Sequence, residues 1–319
     1  MRLYSKLGLA LVLATAVAGS AAAQTKVRVS TIPIIDTAPL SAAIAQGYFK
    51  QEGLDVDTTP VVGGAVGLPA VAAGQIQIGY SNIVSIVLGA HEGLGVQIIA
   101  AGSASGDAPP NTAGLIARKA DGVKSGKDLE GKRVAVNTRN SINWLVVREW
   151  ARLTGGDADL INFLEVPFPS IPDGVRGKQI DVGFTVEPFL SASTASGELE
   201  LIGWPYDRIM KRVPISQFVA TEAYAKANPK VIEAWVRAYN RGIDWVNANK
   251  GSDEWVALIA GYTKMRPEQV KTIALPLWEK TVSQEAVEKM IGVMQQHGLM
   301  KGKSNMNIDK LINPIVKAN

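Results

Sequence analysis

Arg139 is the side chain whose type and neighbours point most directly to ligand chemistry. It stands in Thr138-Arg139-Asn140-Ser141, just ahead of a run that reads as a helix over Ser141–Leu153. A guanidinium beside the free amides of a helix start can grip a carboxylate or sulfonate through paired, charge-assisted hydrogen bonds. N-capping by Asn140 or Ser141 is compatible with that, because a capped helix end keeps spare donors. A solvated surface arginine, or an internal pair with Glu187, is the plainer alternative. Glu187 precedes Pro188 at a helix start, where the helix dipole favours a carboxylate with no ligand present. It could equally accept from a substrate amine or hydroxyl. Gly63 and Gly64 precede another helix, letting backbone approach a ligand closely; no Lys-Ser/Thr pair follows, so this is not a nucleotide phosphate loop.

Composition closes off several other chemistries. The 319 residues contain no cysteine, which removes disulfides, thiolate metal sites and thiol nucleophiles together. With only His91 and His297, imidazole catalysis starts from a narrow base, and no Gly-x-Ser-x-Gly elbow is present. No cofactor and no metal is called for. A formal charge of +4, spread along the chain, is not the footprint of a nucleic-acid binder.

The first residues read as an address. Arg2 and Lys6 form a basic start, Leu7 to Ala18 is an apolar and small-residue run, and Ala21-Ala22-Ala23 supplies small side chains ahead of a cut. Cleavage is expected after Ala23, with export to a periplasm. The apolar core is shorter than the ~20 residues a membrane span needs.

The elements that must position the candidate residues alternate strand and helix. Strands are expected over Lys26–Thr31, Leu54–Thr58, Gln75–Tyr80 and Val96–Ala101, with helices over Pro39–Lys50, Ala65–Ala73 and Ile83–His91 between them. Gly102 to Asn111 breaks the composition with two glycines and a proline pair, which suits a crossing between lobes. The alternation restarts with strands over Ala113–Ala117, Arg133–Asn137, Asn162–Val166 and Ile180–Phe184 and a short helix over Pro172–Arg176. Gly203 to Pro214 is a second irregular passage. From Ala223 the chain reads as nearly all helix, with Ile232, Trp235, Val236, Tyr239, Ile243 and Val246 forming one apolar stripe. Such an order implies an α/β fold with mostly parallel sheets covered by helices.

Gln75-Ile-Gln-Ile-Gly-Tyr-Ser81 aligns without a gap to Gln179-Ile-Asp-Val-Gly-Phe-Thr185. Ligands of open parallel sheets sit beyond the carboxyl ends of the strands, so the echo would set Ser81-Asn82 and Thr185 on opposing walls of one cleft. The loops at strand ends then give the candidate ligand residues: Ile35, Asp36 and Thr37; Gly64 and Ala65; Ser81 and Asn82; Thr138, Arg139, Asn140 and Ser141, in a loop running to Asn143; and Phe184, Thr185 and Glu187. Phe218 and Trp144 are either pocket walls or core.

From Lys26 to about His297 the chain resembles the nitrate/sulfonate/taurine group of ABC-transporter periplasmic binding proteins. The stretches that carry the resemblance are Ala43-Ile-Ala-Gln-Gly-Tyr-Phe-Lys-Gln-Glu-Gly-Leu-Asp-Val56, Ala73-Gly-Gln-Ile-Gln-Ile-Gly79, Asp128-Leu-Glu-Gly-Lys-Arg-Val-Ala-Val136 and Val186-Glu-Pro-Phe189. The resemblance implies a two-lobed, type II Venus-flytrap fold with two crossovers. Lobe one would combine residues 24–108 with 215–319, lobe two would be 109–214, and 1–23 the signal peptide. It also implies a monomeric receptor that delivers a small molecule to a permease and its ATPase, without nucleic acid. The expected solute is an organic anion such as a sulfonate or carboxylate. Sulfonate and taurine members often carry tryptophan, an acid and proline where this chain has Thr185-Val186-Glu187-Pro188. A larger, aromatic acid or an uncharged heterocycle, such as a pyrimidine precursor of thiamine, therefore stays open. The rival classes are a periplasmic sensor and an enzyme on the same fold. The pyrimidine-precursor synthases of that kind rely on a cysteine-rich motif and histidine chemistry that this chain lacks.

Overall fold

A computed structural model of the protein describes residues 24–300 and 307–317, so the expected leader over 1–23 lies outside the described residues. Eleven strands are present among them: β1 Thr25–Thr31, β2 Leu54–Pro60, β3 Ile78–Asn82, β4 Val96–Ala104, β5 Ala113–Arg118, β6 Arg133–Val136, β7 Asn162–Glu165, β8 Val182–Val186, β9 Leu199–Gly203, β10 Pro214–Thr221 and β11 Leu277–Trp278. They form a six-stranded sheet in the order β11-β4-β10-β3-β1-β2 and a five-stranded sheet in the order β7-β6-β8-β5-β9. Helices cover both, as the alternating pattern requires.

The sheets are mixed rather than mostly parallel, which corrects the expectation. The pairs β1–β2, β1–β3, β6–β7 and β6–β8 are parallel, whereas β3–β10, β4–β10, β4–β11, β5–β8 and β5–β9 are antiparallel. The reason lies in the crossings. The chain leaves the first sheet after β4 and enters the second as β5; it leaves after β9 and returns as β10. Each arriving strand runs against the sheet it joins, and each pairs with one of the two echoed segments, β5 with β8 and β10 with β3. The echo therefore marks corresponding strands, each flanked by one parallel and one antiparallel neighbour.

The crossing segments 105–112 and 204–213 lie side by side. Ser105 N–H donates to the Val213 carbonyl at 3.0 Å, and Val213 N–H donates to Ser105 Oγ at 2.9 Å. Asn111 holds the same pairing from its other end, accepting from Gly106 N–H at 2.9 Å and donating to Asp207.

The stripe on the Pro229–Ala248 helix packs as its periodicity predicts, with all six side chains buried. Trp235 and Tyr239 stack at 5.1 Å, and Phe218 on β10 meets them at 5.0 and 4.9 Å. Rings of this size in edge and stacked contact bind the helix layer to the centre of the first sheet. Pro39–Lys50, read as one helix, is two: Ala38–Ala45 and Tyr48–Gln51, divided at Gly47, whose φ of 70° no helix interior accepts.

Candidate functional site

Between the two sheets lies a cavity of about 30 Å³ with walls from both halves. The first half contributes Ile32, Ile34, Asp36, Gly64, Tyr80 and Asn82, together with Ile215 and Ser216 of the returning strand. The second contributes Thr112, Ala113, Asn137, Ile142, Asn143, Phe168, Val186 and Tyr206. The space holds about one water, so the halves are closed on each other.

Asp36 is the charged group of this cavity. It sits on a single 3₁₀ turn, Ile35–Thr37, and is 3% exposed. The turn is pinned from three sides. Thr37 Oγ1 donates to the carbonyls of Ile32 and Ile34 at 2.8 and 2.9 Å, Tyr262 OH to that of Ile34 at 3.2 Å, and Trp278 Nε1 to that of Asp36 at 3.2 Å. Asp36 Oδ1 accepts from Ser103 Oγ at 2.5 Å, and Ser103 Oγ is 2.8 Å from Ser216 Oγ. Burial pushes the Asp36 carboxyl above the usual carboxylate range, and the Ser103 hydrogen bond only partly opposes it. Tyr80, Tyr206, Tyr239 and Tyr262 surround it. Burial, and then the negative charge of Asp36, pushes each phenol upward. Among the described residues no Lys, Arg or His lines this cavity.

Amides join the halves across the same space. Asn82 caps the Ile83–His91 helix, its Oδ1 accepting from Ser85 N–H at 3.0 Å, and the same oxygen accepts from Ile142 N–H, also at 3.0 Å, at the start of the Ile142–Leu153 helix opposite. One side chain thus satisfies an end of two helices from different halves. Asn137 Nδ2 donates to the Val62 carbonyl at 3.2 Å, Asn143 Nδ2 to Asn137 Oδ1 at 2.7 Å, and Tyr206 OH to Asn143 Oδ1 at 3.1 Å. The Ile35 N–H reaches the Glu187 carbonyl at 3.3 Å.

Of the expected ligand residues, the cavity wall holds Asp36, Gly64 and Asn82. A Cβ on Gly64 would lie 2.2 Å from Ser81 Oγ and 2.5 Å from Ser81 Cα, so the absence of a side chain is what admits the helix start to the wall. Ile35 and Thr37 build the turn beneath Asp36, and Ala65 is half-buried beside Gly64. Ser81, Thr185 and Thr138 are buried behind the wall, each with a hydroxyl that has no hydrogen-bond partner among the described residues. Ser141 is buried and donates to the Thr138 carbonyl at 2.7 Å. Phe184 and Phe218 are core, fully buried in aromatic contacts. Trp144, offered as wall or core, is half-buried against Phe163 at 5.8 Å.

Three of the expected residues lie elsewhere. Arg139 and Asn140 are exposed and outside the wall; the Arg139 guanidinium donates to the Phe163 carbonyl on β7, while its N–H donates to Glu165 Oε1 at 2.8 Å. Glu187 neither pairs with Arg139 nor faces the cavity. Its carboxylate accepts from Ser191 N–H at 3.1 Å and Ser191 Oγ at 2.6 Å, beside a separate 270 Å³ cavity walled by Trp204 and Ile273. The residues that sequence reasoning passed over are Tyr80, Thr112, Asn137, Tyr206 and Ser216. Tyr80 stood inside the echo itself, while Tyr206 and Ser216 belong to a passage without periodicity.

A larger cavity, about 570 Å³, opens on the far side of Ser103 and Ser216. Its walls come from the first half and the second crossing, Met210 to Arg212, with none from the second sheet or its helices. A molecule held there would not touch both halves.

A family model described as NMT1/THI5 like matches residues 34–251. The protein BAB2_1146 of Brucella abortus (strain 2308) is 23% identical over 289 residues, covering 88% of this chain and 84% of its own length. Among solved structures, the alkanesulfonate-binding protein SsuA from Xanthomonas axonopodis pv. citri, bound to MOPS, superimposes with a TM-score of 0.77 at 14% identity, over 92% of this chain and 99% of that one. The periplasmic nitrate-binding protein NrtA from Synechocystis PCC 6803 gives 0.77 at 14% identity, over 91% and 86%. At such identities the likeness shows the fold, that of the periplasmic binding proteins.

Proposed function

The chain belongs to the NMT1/THI5-like family, and on that premise we propose that it is the periplasmic solute-binding component of an ABC importer. It captures a small organic solute bearing a protonated or N–H-rich nitrogen centre and presents it to a membrane permease. Residues 24–108 with 215–319 form one lobe and 109–214 the other, and the paired crossings form the hinge. A space of about 30 Å³ admits no organic solute, so entry and exit require the lobes to part. Binding then shifts the population toward the closed form by its differential affinity for the two states.

The observation that carries the solute class is Asp36. A buried carboxylate without a cation is costly to keep, and perturbed acids of this kind concentrate at functional sites. Here it lies on the wall shared by both lobes, among hydroxyls and carboxamides that accept and donate to a ring nitrogen or an amine. An anion gripped by Arg139 is replaced by this reading, because that guanidinium is spent on the Phe163 carbonyl.

Titration calorimetry of the mature protein against aminopyrimidines, small amines, sulfonates, carboxylates and nitrate tests it. Binding is expected among the nitrogen compounds. A sulfonate or nitrate that binds more tightly than every nitrogen compound overturns the solute class; catalytic turnover of a bound compound overturns the receptor reading.

A further inference from the structure

The two helices capped by Asn82 lead away from the cavity, and a second contact joins the halves further along. Glu149 lies two turns into the Ile142–Leu153 helix, about 10 Å from Ile142 at 1.5 Å per residue. His297 ends the Gln284–Gln296 helix of the other half. Their side chains, 7% and 4% exposed, meet at 2.8 Å between His297 Nε2 and Glu149 Oε2. The Ile142–Leu153 helix packs against both the Ile83–His91 and Gln284–Gln296 helices, so this contact closes the seam at the end remote from Asn82.

We propose that His297 and Glu149 form a proton-sensitive clasp across this seam, which sets how much of the protein stands closed before any solute arrives. The inference rests on the parting of lobes proposed above and assigns positioning roles to two residues that do not touch the cavity.

The surroundings define how the clasp responds. Arg152 donates to Glu149 through Nε at 2.9 Å and Nη2 at 2.8 Å, and Gln296, with its carboxamide oxygen turned inward, accepts from Arg152 Nε at 2.7 Å. Arg148 lies near on the same helix and is paired with Asp159 at 2.5 Å. The Ile83–His91 helix adds only His91, at its exposed end. Burial opposes ionisation of Glu149, but the hydrogen bonds from Arg152 and His297 outweigh it and hold the carboxyl below its ordinary range. Glu149 is therefore a carboxylate throughout, already matched by Arg152. Burial pushes the His297 imidazole down, and Arg148 and Arg152 add to that against the pull of Glu149. In the parted form the imidazole returns to its ordinary value near 6.5. Protonation thus favours parting: the clasp is whole above about pH 6.5 and is lost as the pH falls below it.

The test uses the mature protein without solute. Small-angle scattering is expected to show wild type expanding between pH 8 and pH 5.5. His297→Gln keeps a donor for Glu149 and does not titrate, so its dimensions should stay compact and flat across that range. His297→Ala should be expanded at both values. At fixed pH the Ile142 amide of His297→Ala should exchange roughly tenfold faster or more, the worth of one charge-assisted hydrogen bond. Identical wild-type dimensions at both pH values overturn the proposal, as does the same expansion in His297→Gln as in wild type. If His297→Ala does not fold, Glu149→Ala takes its place with the same expectation. Failure to find a solute by calorimetry leaves these readouts standing, so the two proposals fail separately.

Discussion

Replacing Asp36 by asparagine separates what this residue costs the fold from what it does for binding. The substitution preserves shape, and Ser103 Oγ, now 2.5 Å from Asp36 Oδ1, still has a carbonyl-type oxygen to donate to. The charge disappears from a site that is 3% exposed and, among the described residues, has no cationic partner. The sign follows from the raised carboxyl. A carboxyl held above its unfolded value near 3.9 favours folding while protonated, and that favour is lost as pH rises. At pH 7 the wild type therefore carries a penalty that Asp36→Asn lacks, about 1–3 kcal/mol for a poorly compensated buried polar group. For a chain of this size that is a rise of roughly 2–5 °C in Tm. Well below 3.9, at pH 3, the unfolded carboxyl is protonated as well as the folded one, and the difference should vanish. Binding should move the other way, weakening about tenfold or more for a nitrogen solute that loses a charge-assisted hydrogen bond. Scanning calorimetry at pH 3 and 7, with titration calorimetry at pH 7, reads both. A variant less stable than wild type at pH 7, or equally shifted at both pH values, refutes the buried-charge argument. Unchanged affinity removes Asp36 from the site.

Other substitutions address closure and the expected anion site. A Cβ on Gly63 would lie 2.7 Å from Thr138 Cγ2 and 3.0 Å from Asn137 Nδ2 on the opposite half. Gly63→Val should therefore keep its thermal stability yet scatter as a more expanded particle and bind several-fold more weakly; wild-type dimensions would refute this. Asn82→Ala strips an acceptor from two helix ends, and chemical denaturation should show a loss of about 1 kcal/mol for the lost cap, with weaker solute binding as well. A purely local effect on stability would count against its bridging role. Arg139→Ala should leave affinity within about twofold by titration calorimetry; a tenfold loss would return the guanidinium to the site.

Much of the architecture was legible because it rests on local periodicity. The stripe from Ile232 to Val246, the Ile83–His91 helix and the strands β1 to β8 follow from residue spacing, and the echo located two strands that correspond in their sheets. What stayed hidden depends on contacts distant in sequence. In Pro214-Ile-Ser-Gln-Phe-Val-Ala-Thr221, Ser216 and Gln217 are buried with the rest, so neither alternation nor an apolar run betrays a central strand. Arg139 misled for a related reason. Its place before a helix start is a local cue, whereas the direction of its guanidinium is set by the Phe163 carbonyl on the neighbouring strand. Asp36 was legible as a strand-end residue, but its lack of a cation is a property of the closed molecule.

The insertion of β10 between β3 and β4 has a consequence for the order of assembly. The five-stranded sheet is one continuous stretch, Ala113 to Gly203, and can form from its own residues. The six-stranded sheet cannot: β3 and β4 stay unjoined at its centre until the chain has run on to Pro214–Thr221. Non-local pairing of this kind is slow, because loop-closure entropy must be met before contacts compensate it. A newly made chain thus carries a finished second half while the first remains without its middle strand. The interval lasts until the last third of the polypeptide is available, and in it the half-built sheet exposes the unpaired edges of β3 and β4.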